Sequence, residues 1–182
     1  MGLVKRWREW KKLQKQEMQV AGLAVGINST VDYTEDRHII MLDYDVGDDL
    51  EKVRESVREL QQFWRLSDAD IFQTTHGFHV FFWYDHVPYD RLKMIIAYAK
   101  DVDPMFKYIS RFYDHKTIRV AGKYAERDIF FRETMDGIKY PTPYERSIGN
   151  MKKEEHARMI GDQSSQNRSR KAPSKTSTKS TA

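Results

Sequence analysis

Two aspartates, Asp43 and Asp45, end an apolar run and are separated by one residue. The run predicts a buried β-strand over 38–45, in which residues two apart face the same side. Both carboxylates then project together and repel each other, and a divalent cation removes that repulsion. Such pairs hold Mg²⁺ or Mn²⁺ for phosphoryl chemistry, in which two metal ions clamp the attacking and leaving oxygens. The alternative interpretation is a strand that simply runs into a polar turn.

A histidine, His79, lies within a second run rich in aromatic and β-branched residues, 70–84. Strand alternation places His79 and Phe81 on one side and the neighbouring aromatic residues on the other. Gly77 just before it permits close approach of another backbone. A histidine at this position can donate a hydrogen bond to a phosphate oxygen, or it can be a hydrogen-bonded core residue. His76 fits a turn.

A basic segment with a glycine follows further along the chain. Arg119 and Lys123 flank Gly122. Guanidinium and ammonium groups beside a turn can hold phosphates by charge-assisted hydrogen bonds. Many surface hairpins have the same composition. The segment therefore indicates phosphate binding only in combination with the other two segments.

Taken in this order, the three segments resemble the archaeo-eukaryotic primase (primase–polymerase) superfamily, here as a minimal catalytic core. Its hhhDhD motif is matched by IMLDYD at 40–45. Its Gly-aromatic-His element before an apolar strand is similar to THGFHVFF at 75–82, and its basic R-x-x-G-x-K-like element to RVAGK at 119–123. The resemblance covers roughly residues 38–132.

The resemblance implies an RRM-like catalytic sheet that binds two Mg²⁺ or Mn²⁺ ions. Asp43 and Asp45 would be metal ligands, together with a third carboxylate from a later strand. Asp114 is the first choice for it, and Asp128 is an alternative. Asp103 more closely resembles a helix cap, because Pro104 follows it.

The resemblance also implies an activity. The chain would be a metal-dependent nucleotidyltransferase, DNA-directed, that makes or extends primers on a nucleic-acid template. His79 would contact the phosphates of the incoming nucleoside triphosphate, and Arg119 and Lys123 would hold phosphates or template. The partners would be single-stranded DNA or a primer–template, and replication proteins could bind the N-terminal helix or the basic tail.

Three other interpretations fit parts of the same pattern. An HUH-type replication-initiation endonuclease needs two metal-binding histidines on one face and a nucleophilic tyrosine. His76 and His79 are separated by two residues and would need a bulge at Gly77, with Tyr108 or Tyr113 as the nucleophile. The second alternative is a non-catalytic RRM-like module whose exposed aromatic side chains stack on bases. An interaction protein that binds no nucleic acid is the remaining alternative.

The elements that must position these residues form an α+β pattern. It predicts an RRM-like, largely antiparallel sheet with helices packed on one face. Beyond the strand at 38–45, the pattern predicts a loop at 22–29, a helix at 50–65, a hairpin at 70–84 that turns at 76–77, helices from 88 to about 100 and from 103 to about 112, and paired strands at 117–120 and 128–132.

The charge is unevenly distributed along the chain. The formal net charge is +4, yet residues 1–20 hold six basic and two acidic side chains and residues 163–182 hold five basic and none acidic. The centre, 21–162, is therefore acidic at −5. We expect a basic amphipathic helix (3–19) and loop within 1–28, a catalytic domain at 29–150, and a short helix followed by a basic disordered tail at 151–182.

Composition excludes several classes of protein. The absence of cysteine rules out disulfide scaffolds, thiolate zinc sites, iron–sulfur clusters and cysteine nucleophiles. The sequence contains no apolar stretch of about 18 residues, so no transmembrane helix is predicted. The N-terminus also lacks the apolar region of a signal peptide. We therefore expect a cytoplasmic protein.

Overall fold

The computed structural model of the chain describes residues 25–32, 35–121 and 129–170, with the backbone alone for 25, 121 and 161–170. The predicted N-terminal helix at 3–19 and the end of the predicted tail lie outside these ranges, as do Lys123 and Asp128. Within the described ranges the chain is α+β. The elements in chain order are β1 (Val25–Asn28), β2 (Thr30–Asp32), β3 (Arg37–Tyr44), α1 (Leu50–Trp64), β4 (Ala69–Gln73), β5 (Phe78–Val87), α2 (Tyr89–Tyr98), α3 (Pro104–Ile109), β6 (Thr117–Ala121), β7 (Phe130–Met135) and α4 (Pro143–Arg170).

The sheets are antiparallel. Five strands pair in the order β2-β3-β5-β4-β7, and β1 pairs with β6 in a separate two-stranded sheet. β5 is the central strand with β3 beside it, and nearly all side chains of both are buried, as expected of strands covered on both faces. This confirms the predicted α+β class and the antiparallel sheet.

The hairpin between β4 and β5 confirms the turn predicted at 76–77. The Thr74 amide donates to the Gly77 carbonyl oxygen over 2.8 Å. A Cβ at Gly77 would lie 1.8 Å from the Tyr44 carbonyl oxygen, which no side chain can tolerate. The glycine therefore lets the hairpin pack directly against the end of β3.

Helices cover both faces of the five-stranded sheet. Tyr44, at the end of β3, contacts Ser56 of α1 on one face through hydroxyls 3.0 Å apart. Phe81 and Trp83 point to the opposite face, where their rings contact His156 of α4. The expectation of helices on one face is corrected here, because α4 begins at Pro143 rather than near Met151 and lies along the second face. Its apolar residues do not recur along one side, so the sequence pattern does not reveal this packing.

The pairing of β6 also departs from expectation. The segment predicted as a strand at 117–120 lies within β6, and the described strand residues of the segment at 128–132 belong to β7, but β6 pairs with β1 and β7 pairs with β4. The stretch expected to be a loop at 22–29 contains β1. Ser29 joins the two sheets, since its amide donates to the Lys116 carbonyl oxygen and its carbonyl oxygen accepts from the Ile39 amide, both over 2.8 Å.

The helix α3 begins as predicted. The Asp103 carboxylate accepts from the Met105 and Phe106 amides, over 2.9 and 3.2 Å, with Pro104 at the first helical position. Among the helices that the structure describes, none is both long and apolar enough to cross a bilayer.

Candidate functional site

The centre of the candidate site is a cross-strand pair between Asp43 and His79. The two residues are directly opposite each other in the register of β3 and β5. His79 Nε2 lies 3.6 Å from Asp43 Oδ1, and the side chains are 9% and 38% exposed, respectively. The carboxylate is thus open to solvent while the imidazole lies mostly beneath the surface. The two predicted site residues are brought together by strand pairing alone.

Asp45 lies next to the hairpin turn that carries His79. A Cβ on Gly77 would lie 3.2 Å from the Asp45 Cα, and the Gly47 amide donates to the His76 carbonyl oxygen over 3.1 Å. Asp45 itself is exposed, one residue beyond the end of β3. The end of β3 and the turn before β5 therefore form one packed unit, with the carboxylates of Asp43 in β3 and of Asp45 just after it accessible from solvent.

A buried lysine, Lys116, lies near the pair. Its ammonium group donates to the Phe106 carbonyl oxygen over 2.9 Å and lies 3.9 Å from the centre of the Phe106 ring. Burial lowers the pKa of Lys116 to about 8, although the carboxylates of Asp43 and Asp103 oppose that shift. The site thus has a positive charge within electrostatic reach of Asp43. Sequence reasoning missed it, because a lysine just before a strand carries no distinctive pattern.

Asp103 approaches Asp43 through the backbone. Its amide donates to the Asp43 carbonyl oxygen over 2.8 Å, which ties the start of α3 to the end of β3. Its carboxylate caps α3 as described above. Asp103 and Asp114 are the two weighed residues within the described part of the chain, and of these Asp103 lies beside Asp43, with both carboxylate oxygens already accepting backbone hydrogen bonds.

The structure does not bring Asp114 to the pair. Asp114 is 95% exposed and contacts His115 Nδ1 at 2.7 Å, and this hydrogen bond lowers the pKa of the carboxyl group. His38, at the opposite end of β3 from Asp43, also interacts electrostatically with Asp114. Five residues of strand separate those ends by about 16 Å. The chain after α3 returns to β6 along this far end, which the sequence pattern gives no means of predicting.

The remaining predicted residues are divided between described and undescribed parts of the chain. Arg119 lies in β6 opposite Gly26 and is half-buried. His76 lies in the exposed turn, whereas His79 lies in β5. Within 25–32, 35–121 and 129–170, no group of three or more His, Cys, Asp or Glu side chains is arranged as a metal-binding cluster.

A second carboxylate that sequence reasoning missed holds α4 on the sheet. Asp70 is buried and accepts hydrogen bonds from Trp83 Nε1 at 2.8 Å and Thr134 Oγ1 at 2.6 Å, and Lys153 Nζ lies 2.7 Å away. These three partners satisfy the oxygens of the buried carboxyl group, which burial would otherwise leave without hydrogen bonds. Its position near the start of a strand gives no hint of this role.

The course of α4 brings it toward the candidate site. Gly149 packs against Trp83, and His156, further along, contacts Phe81. The helix therefore runs antiparallel to β5, in the direction of His79. It covers the same sheet face as Asp43 and His79, because His79 and Phe81 are two residues apart on one strand.

The chain was compared with protein-family models, with curated proteins and with solved structures, and none of the three comparisons found a match.

Proposed function

We propose that this protein is a metal-dependent nucleotidyltransferase of the primase–polymerase type, which makes or extends primers on a nucleic-acid template. The proposal depends on one observation. Asp43 of the central strand β3 pairs with His79 of β5, while Asp45 is exposed two residues further on. An acceptor for a cation and a donor for a phosphate are thereby adjacent.

The donor set suits one divalent ion. Mg²⁺ usually keeps several waters and is held by one or two carboxylates together with substrate phosphates. Asp43 and Asp45 would supply those carboxylates, and neither is buried. A bound Mg²⁺ or Mn²⁺ would supply Lewis acidity and neutralise triphosphate charge. A second ion would need a further carboxylate, which Asp114 does not provide from the far end of β3.

Other residues of the chain would bind the phosphates and the template. Nε2 of His79 would donate to a phosphate oxygen, and Asp43 would orient the imidazole. The charged amine of Lys116 would stabilise negative charge near Asp43. Arg119 and Lys123, in and just after β6, would hold phosphates or template.

A non-catalytic nucleic-acid-binding module is the second candidate. One observation favours it: α4 covers the sheet face that carries His79, whose side chain is only 9% exposed. Such a module would bind nucleic acid through other surfaces and would need no metal ion.

Nucleotide incorporation separates the two candidates. Wild-type protein should incorporate labelled nucleotides on a primed or bare template with Mg²⁺ or Mn²⁺. Because a metal ion contributes several kcal/mol to such a reaction, Asp43→Asn with Asp45→Asn should lower the rate roughly 100-fold or more. The matched control, Asp90→Asn with Asp136→Asn, removes two exposed carboxylates elsewhere and should keep the rate. Equal rates in the two double variants would reject the site, and a wild-type protein that binds template without incorporation would favour the module.

A further inference from the structure

A surface pocket of about 490 Å³ lies at the end of β5 that is remote from His79. Its walls include Trp64 and Arg65 at the end of α1, Arg91 of α2, His86 of β5, and Tyr140. His86 and His79 are seven residues apart on β5, or about 23 Å. The pocket, called here the Tyr140 pocket, is therefore separate from the candidate catalytic site.

The cations of the Tyr140 pocket are available to a ligand. Arg65 and Arg91 are exposed, and no carboxylate of the described residues lies within 4.0 Å of either guanidinium group. Lys139, by contrast, is held by Asp85 and Glu145. Unpaired guanidinium groups on an open surface suit a phosphate, which they can bind in a bidentate manner.

Flat aromatic surfaces adjoin these cations on two sides. Tyr140 is 90% exposed. The guanidinium of Arg91 lies 5.8 Å from the centre of the Trp64 ring. Next to Trp64, the rings of Phe63 and Tyr98 stack at 4.6 Å, and both side chains are exposed. Exposed aromatic rings interleaved with free cations are what nucleic-acid bases and phosphates require together.

Polar capacity also remains unused in the pocket wall. Among the described residues, Trp64 Nε1 and His86 Nδ1 have no hydrogen-bond partner. Buried polar atoms ordinarily find a protein, water or ligand partner. Both atoms are buried behind the pocket surface, so a ligand would contact the exposed cations and rings rather than these two groups.

We propose that the Tyr140 pocket binds single-stranded nucleic acid, with a base on Tyr140 and phosphates on Arg65 and Arg91. A strand fits better than a free nucleotide, because the Phe63–Tyr98 pair offers a second stacking surface beyond Trp64. An acidic peptide would satisfy the cations but not the flat rings. The inference extends the proposed function by giving the template a place on the surface, and it is tested without catalysis.

The test measures the binding of labelled oligothymidylate to the full chain. Binding is monitored by fluorescence anisotropy in a buffer that contains EDTA. Stacking on an aromatic side chain contributes about 1–3 kcal/mol per base, so Tyr140→Ala should weaken affinity roughly 5- to 150-fold. Arg65→Gln with Arg91→Gln should lower the slope of log affinity against log salt by about 1.4, which corresponds to about 0.7 per phosphate contact.

The matched controls remove similar groups from other surfaces. Phe112→Ala removes an exposed aromatic ring, and Arg111→Gln with Arg158→Gln removes two exposed charges. Both controls should bind as wild type, apart from a small general salt effect. Tyr140 is so exposed that its replacement should leave the thermal melting curve unchanged, which circular dichroism checks.

Four results would overturn the inference. The first two are no binding by wild type and equal losses of affinity in the control and pocket variants. The other two are displacement of the strand by free nucleoside triphosphate as readily as by unlabelled strand, and binding of polyglutamate that needs Arg65 and Arg91 but not Tyr140. Binding is measured without metal ion or nucleotide, so its failure is distinct from a failure of nucleotide incorporation. Wild-type strand binding through Tyr140 with no incorporation would reject the proposed function alone.

Discussion

Among single residues, Lys116 has a free-energy cost that its packing does not explain. A pKa near 8, against 10.5 for the free side chain, means that the folded protein disfavours the charged amine. The shift corresponds to about 3 kcal/mol when the amine is charged. Its hydrogen bond to Phe106 and the contact with that ring offset part of this cost. A costly charge beside Asp43 is consistent with a role in binding anions.

Lys116→Met should therefore stabilise the protein at pH 7 by about 1–2 kcal/mol, because the charge is removed and the apolar stem kept. It should also reduce nucleotide incorporation. In wild type, the free energy of unfolding should rise between about pH 8 and 10.5, because over that window the unfolded chain holds a proton that the folded chain has released. Urea titrations at pH 7 and pH 10 measure both effects. A variant that is less stable at pH 7 and equally active would contradict this account.

At the scale of elements, the contact between β3 and the β4–β5 hairpin positions the site. Gly77→Ala would place a methyl group against the Tyr44 carbonyl oxygen, so that the hairpin must move away from Asp45. We expect a loss of about 2–4 kcal/mol in the free energy of unfolding, together with lower incorporation. Gly47→Asn is the control, because Gly47 has a φ of 63° in open space, which asparagine tolerates. Similar free energies of unfolding for Gly77→Ala and wild type would show that the turn at Gly77 does not pack closely against the end of β3.

The packing of α4 should depend on pH through His156. Burial among Phe72, Phe81 and Trp83 lowers the pKa of His156 to about 4, against an ordinary value of 6.5. Since the unfolded chain takes up this proton first, stability should fall as the pH drops from 6.5 to 4, by about 3 kcal/mol from this residue.

His156→Phe should remove that part of the dependence, measured as the difference in unfolding free energy between pH 7 and pH 4.5. His38 and His86, whose pKa values burial also lowers, keep their own contributions in both proteins. His76→Gln, in the exposed turn, is the matched control. Equal pH dependence in wild type and His156→Phe would show that the neutral imidazole is not required for the packing of α4.

For the whole molecule, local sequence signals predicted elements well and their assembly poorly. The strand before Asp43, the helix that follows it and the turn at Gly77 follow from apolar periodicity, capping and glycine, which act over a few residues. The pairing of β6 with β1 and the course of α4 depend on contacts between residues far apart in the chain, which these patterns do not encode.

The candidate site divides in the same way. Asp43 and His79 meet through the antiparallel pairing of β3 with β5, two strands that α1 and β4 separate in the chain. Local patterns placed each residue on a strand, whereas only the family resemblance implied that the two act together. The distance of Asp114 from that pair, and the approach of Lys116 and Asp103 to it, result from how α3 and β6 cross the sheet. The residues that sequence reasoning misplaced or missed therefore lie at the start of α3 and in the segment between α3 and β6, where neither a strand pattern nor a motif indicates a position.

The central claim is that Asp43 and Asp45 form a divalent-cation site beside His79, and Mn²⁺ binding tests it most directly. Electron paramagnetic resonance of free Mn²⁺ during titration with full-length protein measures affinity without requiring turnover. The account predicts saturable binding by wild type and by Asp90→Asn with Asp136→Asn. In Asp43→Asn with Asp45→Asn, the affinity for Mn²⁺ should fall at least about tenfold. Loss of a residue that only hydrogen-bonds to a metal ligand already lowers metal affinity by about that factor. Unchanged Mn²⁺ affinity in that double variant, or no binding by wild type, would contradict the claim.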